Sequence, residues 1–220
     1  VAVSDRSQAA WKNIGKLEAV WASADSLYSR SEVPVVERVE VNHLSGWKGE
    51  RISAQLLLYT GNGADCVRCE VKDFRSSSSV MSADIAQARF VRYTIADRGG
   101  MDCRCNRGPE METILVPDMI DSLKVFNMDP RTVRPVWVTV NVPQDAEPGV
   151  YKSEIVVKSK GTSRISLPFE LEVLDHVLPD YREWNFHLDL WQHPSAIARA
   201  LNLELWSDEH FEAIKQHMRP

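Results

Sequence analysis

Several features that would connect this chain with a membrane, a nucleic acid or a nucleotide are missing from its sequence. Its 220 residues contain no apolar run approaching the roughly 18 residues that a membrane span requires. The net charge of -5 predicts no electrostatic attraction to nucleic acid or anionic lipid. Glycine-rich phosphate loops and Gly-x-Ser-x-Gly nucleophile elbows are also absent. We therefore expect no nucleic-acid partner, no membrane span and no cofactor.

Cysteine is scarce as well. The four cysteines are Cys66, Cys69, Cys103 and Cys105. They are too few for a disulfide scaffold in a chain of this length, so they indicate no particular redox compartment. In an alternating strand Cys69 shares a face with Val67, whereas Cys66 lies on the other face, which argues against a shared zinc centre. A zinc cluster, at least one disulfide and ordinary free thiols stay open as alternatives, and we predict no metal site.

Most of the chain consists of short runs with the alternation of β-strands, separated by turn residues. Between residues 16 and 175, about eight such runs are punctuated by Pro, Gly, Asn and Asp. They cover residues 17–23, 35–41, 50–59, 66–74, 88–96, 133–142, 151–158 and 165–173. No helical pattern separates them. The sequence therefore predicts a mainly β domain over residues 1–180, an antiparallel β-sandwich of the immunoglobulin or jelly-roll kind.

Two of these runs have distinct faces. Val136, Val138 and Val140 share one face, which we expect in the core, while Trp137 lies on the other face. In the run 165–173 apolar residues alternate with polar ones, and Pro168 lies on the polar face. Because proline cannot donate to a strand ladder, this position predicts an edge strand.

The pattern changes near residue 180. Residues 185–191 predict a strand, and helix-forming sequence follows. Ser207 can cap a helix that starts at Asp208, where Asp208 and Glu209 suit the positive end of the helix dipole. One strand and one or two helices cannot bury their own apolar faces. We therefore expect residues 181–220 to be a strand-helix extension that starts a truncated (β/α) barrel, with docking on the sandwich as the alternative.

The two ends of the sequence support the same expectation. Val1 is preceded by no initiator methionine or signal segment, and no cap or polar tail follows Met218. We therefore expect that flanking segments have been removed.

Five stretches together resemble one protein family. Residues 46–55 (GWKGERISAQ), 89–93 (RFVRY) and 142–151 (VPQDAEPGVY) resemble the N-terminal domain of glycoside hydrolase family 123. Residues 186–194 (FHLDLWQHP) and 205–211 (LWSDEHF) resemble the first β-α unit of its catalytic (β/α) barrel. The resemblance implies a secreted, periplasmic or cell-surface bacterial hydrolase of N-acetylgalactosamine-type glycans.

The resemblance also implies a mechanism in which the acetamido group of the substrate is the nucleophile, assisted by an Asp-Glu pair in the barrel. That pair is expected beyond residue 220. The only Asp-Glu dipeptide here, Asp208-Glu209, is predicted to be a helix-start feature. We assign no catalytic residue and expect this chain alone to be inactive, so that its role is that of an accessory domain bracing its own C-terminal catalytic barrel.

Two sets of residues are candidates for glycan contact. His187, Asp189 and Trp191 share one face of the predicted strand, and His193 follows, a combination suited to lining a sugar pocket in the full-length protein. The alternatives are internal hydrogen bonding and packing, or a metal site, which we consider unfavoured.

The second candidate is an aromatic platform of Trp47, in a predicted loop, and Trp137. Either tryptophan could instead pack under loops or against the barrel. If the platform binds glycan by itself, the chain is a self-contained carbohydrate-binding or adhesion module. The glycan, the linkage and the oligomeric state are not readable from the sequence.

Overall fold

The computed structural model describes residues 5–97, 113–161, 163–187 and 192–218, which form twelve β-strands and three α-helices. The strands are β1 (Glu18–Ala22), β2 (Asn42–Lys48), β3 (Arg51–Thr60), β4 (Ala64–Val71), β5 (Phe74–Arg75), β6 (Val80–Met81), β7 (Ala86–Asp97), β8 (Thr113–Ile120), β9 (Phe126–Met128), β10 (Thr132–Asn141), β11 (Gly149–Lys158) and β12 (Ile165–Val177). The helices are α1 (Asp5–Trp11), α2 (Pro194–Leu201) and α3 (Asp208–His217). The chain divides into two compact units, residues 1–178 and 179–220.

The first unit is built from two sheets. The first sheet has the strand order β1-β3-β10-β7-β8, and all of its pairs are antiparallel. The second sheet has the order β2-β12-β11-β4-β9, with β5 paired to β11 and β6 paired to β5. Its pair β2-β12 is parallel, so the second sheet is mixed. The predicted mainly β fold is confirmed, with this parallel pair as an addition.

A shared apolar core lies between the two sheets. Val136, Val138 and Val140 of β10 are fully buried there, as expected from their alternation, and Phe169 and Leu171 of β12 meet them from the second sheet. Alternate residues of both sheets therefore fill one interior, which is the packing of a sandwich.

Trp21 joins the two sheets through the core. It belongs to β1 of the first sheet, yet its indole N–H donates to the carbonyl oxygen of Pro168 in β12, at 2.9 Å. Its ring also packs against Phe169, with the ring centroids 5.7 Å apart. Only 2% of Trp21 is exposed.

The edge-strand prediction from Pro168 is wrong, because β12 lies between β11 and β2. Pairing with β2 begins only at Phe169, opposite Asn42. At Pro168 the strand has a neighbour on one side alone, where it lies opposite Glu154 of β11. A proline is tolerated there because no second ladder needs its missing N–H.

The predicted strand at 35–41 is also wrong, since residues 34–39 have no regular secondary structure and β2 starts at Asn42. Val33 and Val36 instead pack on a second apolar cluster, which contains Trp11 and Leu57 and covers the outer face of the first sheet.

Candidate functional site

Trp47 is the next-to-last residue of β2, in a strand and not in the predicted loop. Its side chain is on the outer face of the second sheet, 39% exposed, and it meets the ring of His176 edge-on with the centroids 5.7 Å apart. The carbonyl oxygen of Lys48 accepts a hydrogen bond of 2.8 Å from the amide of Leu178, the last residue of the first unit. Trp47 therefore lies beside the point where the chain leaves the sandwich.

The Trp-Lys-Gly-Glu stretch around Trp47 forms a tight corner between the sheets. Gly49 has a φ of +84°, a conformation that favours glycine, and the amide of Glu50 donates to the carbonyl of Trp47 at 3.1 Å. The Glu50 carboxylate accepts a 2.7 Å hydrogen bond from the amide of Trp47, which closes the turn from the other side. Backbone hydrogen bonds of 2.8 and 2.9 Å tie the corner to Val142. This stretch is thus needed for the connection between β2 and β3.

Trp137 lies on the outer face of the first sheet, between Gln55 of β3 and Arg89 of β7. It is half-buried. Because the outer faces of the two sheets point in opposite directions, Trp47 and Trp137 cannot form one common platform. Glycan binding by either tryptophan alone stays a prediction.

The candidate pocket residues of the extension are only partly described. His187 and His193 are both exposed, and His193 immediately precedes α2. Residues 185–187 are not in a strand, whereas Asp189 and Trp191 lie outside the described residues. The role of these four residues in a sugar pocket stays a prediction.

Sequence reasoning assigned no role to His210, which is fully buried in the second unit. Its Nδ1 accepts a hydrogen bond of 3.0 Å from the amide of Trp206, and its Nε2 lies 2.8 Å from the carbonyl oxygen of Pro194. Nε2 therefore carries the ring proton, and its N–H donates a hydrogen bond to that carbonyl. His210 thus links the start of α2 to the turn before α3, a structural role that the spacing of 16 residues did not reveal.

The helix start predicted at Ser207 is confirmed. The Ser207 hydroxyl accepts a hydrogen bond from the amide of His210, and Asp208 and Glu209 occupy the first turn of α3. Both carboxylates are exposed. They suit the positive end of the helix dipole.

The two described cysteines have different surroundings. Cys66 is an exposed free thiol at an irregular position of β4, where its φ is +52° and its amide donates to the Asn127 side chain at 2.8 Å. Cys69 is also a free thiol, but it packs against the core, and burial raises its pKa to about 12. Cys103 and Cys105 lie outside the described residues.

These environments predict unequal thiol reactivity. At pH 8 we expect a water-soluble alkylating reagent to label Cys66 at least tenfold faster than Cys69, since the reactive species is the thiolate and Cys69 is both covered and protonated. Peptide mass spectrometry after timed labelling measures each site separately. Equal rates at the two sites would contradict the packing of Cys69, and labelling in urea, where the difference should vanish, is the control.

Metal sites and membrane spans are two further features of the part of the chain that the structure describes. In that part of the chain, no group of three or more His, Cys, Asp and Glu residues is arranged to hold a metal ion. Nor does any helix there have the length and apolar character needed to cross a membrane.

Comparison with solved structures shows which known folds this chain resembles. A family 123 glycoside hydrolase from Clostridium perfringens, described for its glycolipid glycan hydrolysis, superimposes with a TM-score of 0.79 at 22% sequence identity. The match covers 89% of this chain and 34% of that chain, so this chain spans about a third of the length of that protein. The sporulation control protein Spo0M from Bacillus subtilis gives a TM-score of 0.35 at 11% identity, covering 74% of this chain and 51% of Spo0M. Among curated protein sequences, none matches this chain.

Two family matches follow each other along the sequence. Residues 21–159 match the glycoside hydrolase 123 N-terminal domain, and residues 191–220 match the glycoside hydrolase 123 catalytic domain. The first match includes the corner at Gly49 and ten complete strands, from β2 to β11, so it covers most of the sandwich. The chain therefore belongs to the glycoside hydrolase 123 N-terminal domain family.

Proposed function

We propose that residues 1–178 are a non-catalytic accessory domain that braces a family 123 catalytic domain, of which residues 181–220 are the start. The observation that carries this proposal is the order of the two family matches, with N-terminal-domain sequence at 21–159 and catalytic-domain sequence from residue 191. In the longer protein the substrate class would be N-acetylgalactosamine-type glycans. A secreted, periplasmic or cell-surface location in a bacterium belongs to the same proposal.

The acidic residues of the chain support a non-catalytic role. Substrate-assisted hydrolysis still needs one carboxyl group to orient the acetamide and another to protonate the leaving oxygen. Among the described residues Asp121 is the single buried acid, and the Arg92 guanidinium binds its Oδ2 at 2.7 and 2.9 Å. This hydrogen bonding lowers the pKa of Asp121, so it would not act as a general acid near neutral pH.

The surroundings of Trp47 support the bracing role. Val177, at the end of β12, is 51% exposed, and Trp47 is exposed on the neighbouring strand. Because Leu178 is hydrogen-bonded to Lys48, the last residue of the first unit lies next to the strand end that carries Trp47. An exposed aromatic side chain at a chain exit is suited to packing against the domain that follows.

The proposal is tested by comparing three proteins: the 220-residue chain, the longer protein with its whole catalytic domain, and the catalytic domain without residues 1–178. With the α and β anomers of 4-nitrophenyl N-acetylgalactosaminide as substrates, we expect turnover of one of them by the longer protein and of neither by the 220-residue chain. Removal of residues 1–178 should lower the Tm of the catalytic domain by several degrees. Turnover by the 220-residue chain, or full stability of the isolated catalytic domain, would reject the accessory role.

The second candidate function, a self-contained carbohydrate-binding module, is favoured by the exposure of Trp47 alone. A glycan array on the 220-residue chain distinguishes it from the brace. Specific binding that Trp47→Ala or Trp137→Ala abolishes would establish the module. We expect no such binding.

A further inference from the structure

The strands β7 and β8 continue beyond the first sheet as a two-stranded ribbon. β10 pairs with β7 only from Ala86 to Phe90, whereas β8 pairs with β7 from Val91 to Asp97. In its outer half, each strand of the ribbon therefore has the other as its only described partner. An isolated two-stranded ribbon is marginally stable in water. The β7-β8 ribbon therefore needs contacts that hold its base to the sandwich and contacts that cover its outer half.

The anchor is formed by two arginines. Arg134, which is only 9% exposed, donates to the carbonyl oxygen of Val91 at 2.8 Å. Its guanidinium lies 4.1 Å from the ring centroid of Phe126 and 5.2 Å from that of Tyr93. Arg92 binds the buried Asp121. The base of the ribbon is thus fixed to the sandwich, and its outer half projects in a defined direction.

The outer half carries apolar side chains on both faces, of which one face is exposed and the other is half-buried. On one face Ile95 lies opposite Leu115, and these side chains are 78% and 41% exposed. On the other face Ala96 lies opposite Ile114, and Thr94 opposite Val116. We call residues 94–96 and 114–116 the apolar ribbon. Further exposed apolar side chains follow along the chain at Met119, Ile120, Leu123 and Val125. Such a concentration of exposed apolar side chains marks an interaction surface.

The free edge of β8 is unsuited to pairing with another strand. Pro117 lies in the middle of β8, and the register shifts at Arg92 and Tyr93, directly across from it. A proline and an irregularity on an edge strand are features that prevent strand addition. A second copy of the chain therefore cannot extend the sheet there, and the partner must cover the faces of the ribbon with apolar side chains.

We propose that the apolar ribbon is a docking arm for the catalytic domain of the same protein. This inference rests on the proposed function. Catalytic-domain sequence begins at residue 191 of this chain, so that partner is tethered and present at a high effective concentration. A lipid surface is disfavoured, because residues 93–123 contain three Arg and no Lys against six Asp and Glu, and this net negative charge repels anionic headgroups.

The test compares amide hydrogen exchange in the 220-residue chain and in the longer protein with its whole catalytic domain. Peptides covering 91–97 and 113–120 should exchange at least tenfold more slowly in the longer protein. The double variant Ile95→Lys/Leu115→Glu keeps an attractive cross-strand pair but removes the apolar surface. It should abolish the extra protection and lower the Tm of the longer protein by several degrees. Val150→Lys, at a 48% exposed valine of β11, is the matched control and should change neither quantity.

Equal exchange in the two proteins would overturn the proposal. So would protection that appears in the 220-residue chain only at high protein concentration, which would indicate a second copy, or only with vesicles of anionic phospholipid. Turnover of the N-acetylgalactosaminide is measured on the same samples. Turnover without ribbon protection rejects the docking arm alone, whereas ribbon protection without turnover rejects the hydrolase assignment and leaves the docking arm standing.

Discussion

Trp21→Ala should lower the free energy of unfolding of the sandwich by about 4 kcal/mol, within the range for buried tryptophans replaced by alanine. The substitution removes the largest fully buried side chain, leaves a cavity beside Phe169 and deprives the carbonyl oxygen of Pro168 of its donor. Because Trp21 connects β1 of the first sheet to β12 of the second, both sheets lose packing at once. Urea unfolding followed by circular dichroism in the β-sheet band measures the change.

Trp47→Ala is the matched control for this experiment. The same number of atoms is removed, but Trp47 is 39% exposed on an outer face, so the cost should be about 1 kcal/mol or less. Trp21→Phe separates the contribution of the hydrogen bond from that of ring packing, since it keeps a ring next to Phe169 and removes the hydrogen bond to Pro168. A loss below about 1 kcal/mol for Trp21→Ala would contradict the position of Trp21 between the sheets.

Gly61→Ala should destabilise the same domain by about 3 kcal/mol, at the upper end of the usual cost of overpacking. A Cβ at Gly61 would lie 1.8 Å from the carbonyl oxygen of Ile14 and 2.9 Å from its carbonyl carbon. Both are backbone atoms, so no side-chain rotation relieves the clash. The segment after α1 would have to move, which would also break the 3.1 Å hydrogen bond from the amide of Asn62 to the carbonyl of Gly15.

Gly15→Ala is the control for Gly61→Ala. A Cβ there would meet only the Asn62 side chain, at an ordinary distance of 3.8 Å. The two variants add the same methyl group to neighbouring segments, and we expect the midpoint of urea unfolding to fall substantially for Gly61→Ala alone. Equal midpoints for both would show that the N-terminal segment does not pack on Gly61. The cluster around Trp11 and Leu57 would then be loose.

The strands that sequence reasoning located correctly share one property, which is that they line the core. From Val136 in β10, and from Ile165 to Val173 in β12, every second residue is a large apolar side chain that packs in the core between the sheets. The run 35–41 also alternates valines with charged residues, but it is irregular, Val35 and Val39 are exposed, and only Val36 packs on the outer-face cluster. An alternating pattern alone therefore does not determine whether a segment is buried or whether its backbone joins a sheet.

The strands that it missed lie at sheet edges or carry few apolar residues. β2 has one large aliphatic residue, Leu44, and pairs in parallel with β12, more than 120 residues away along the chain. Nothing local to β2 encodes such a partner. β8 is apolar on both faces of the ribbon and so has no alternation to recognise. The role of His210 was missed for a similar reason, because its partner Pro194 belongs to another helix.

The sequence by itself determined the β character of residues 16–175, the capped helix at Asp208 and the membership of the family, because alternation, capping residues and short motifs are local properties. Tertiary structure alone decided that Trp47 and Trp137 lie on opposite faces, that Pro168 occupies an interior strand, and that an apolar ribbon extends from an anchored base. These features depend on which distant strands pair and on which face of each sheet meets the core. That choice is made by the free energy of packing the whole domain, which no short stretch of the sequence contains.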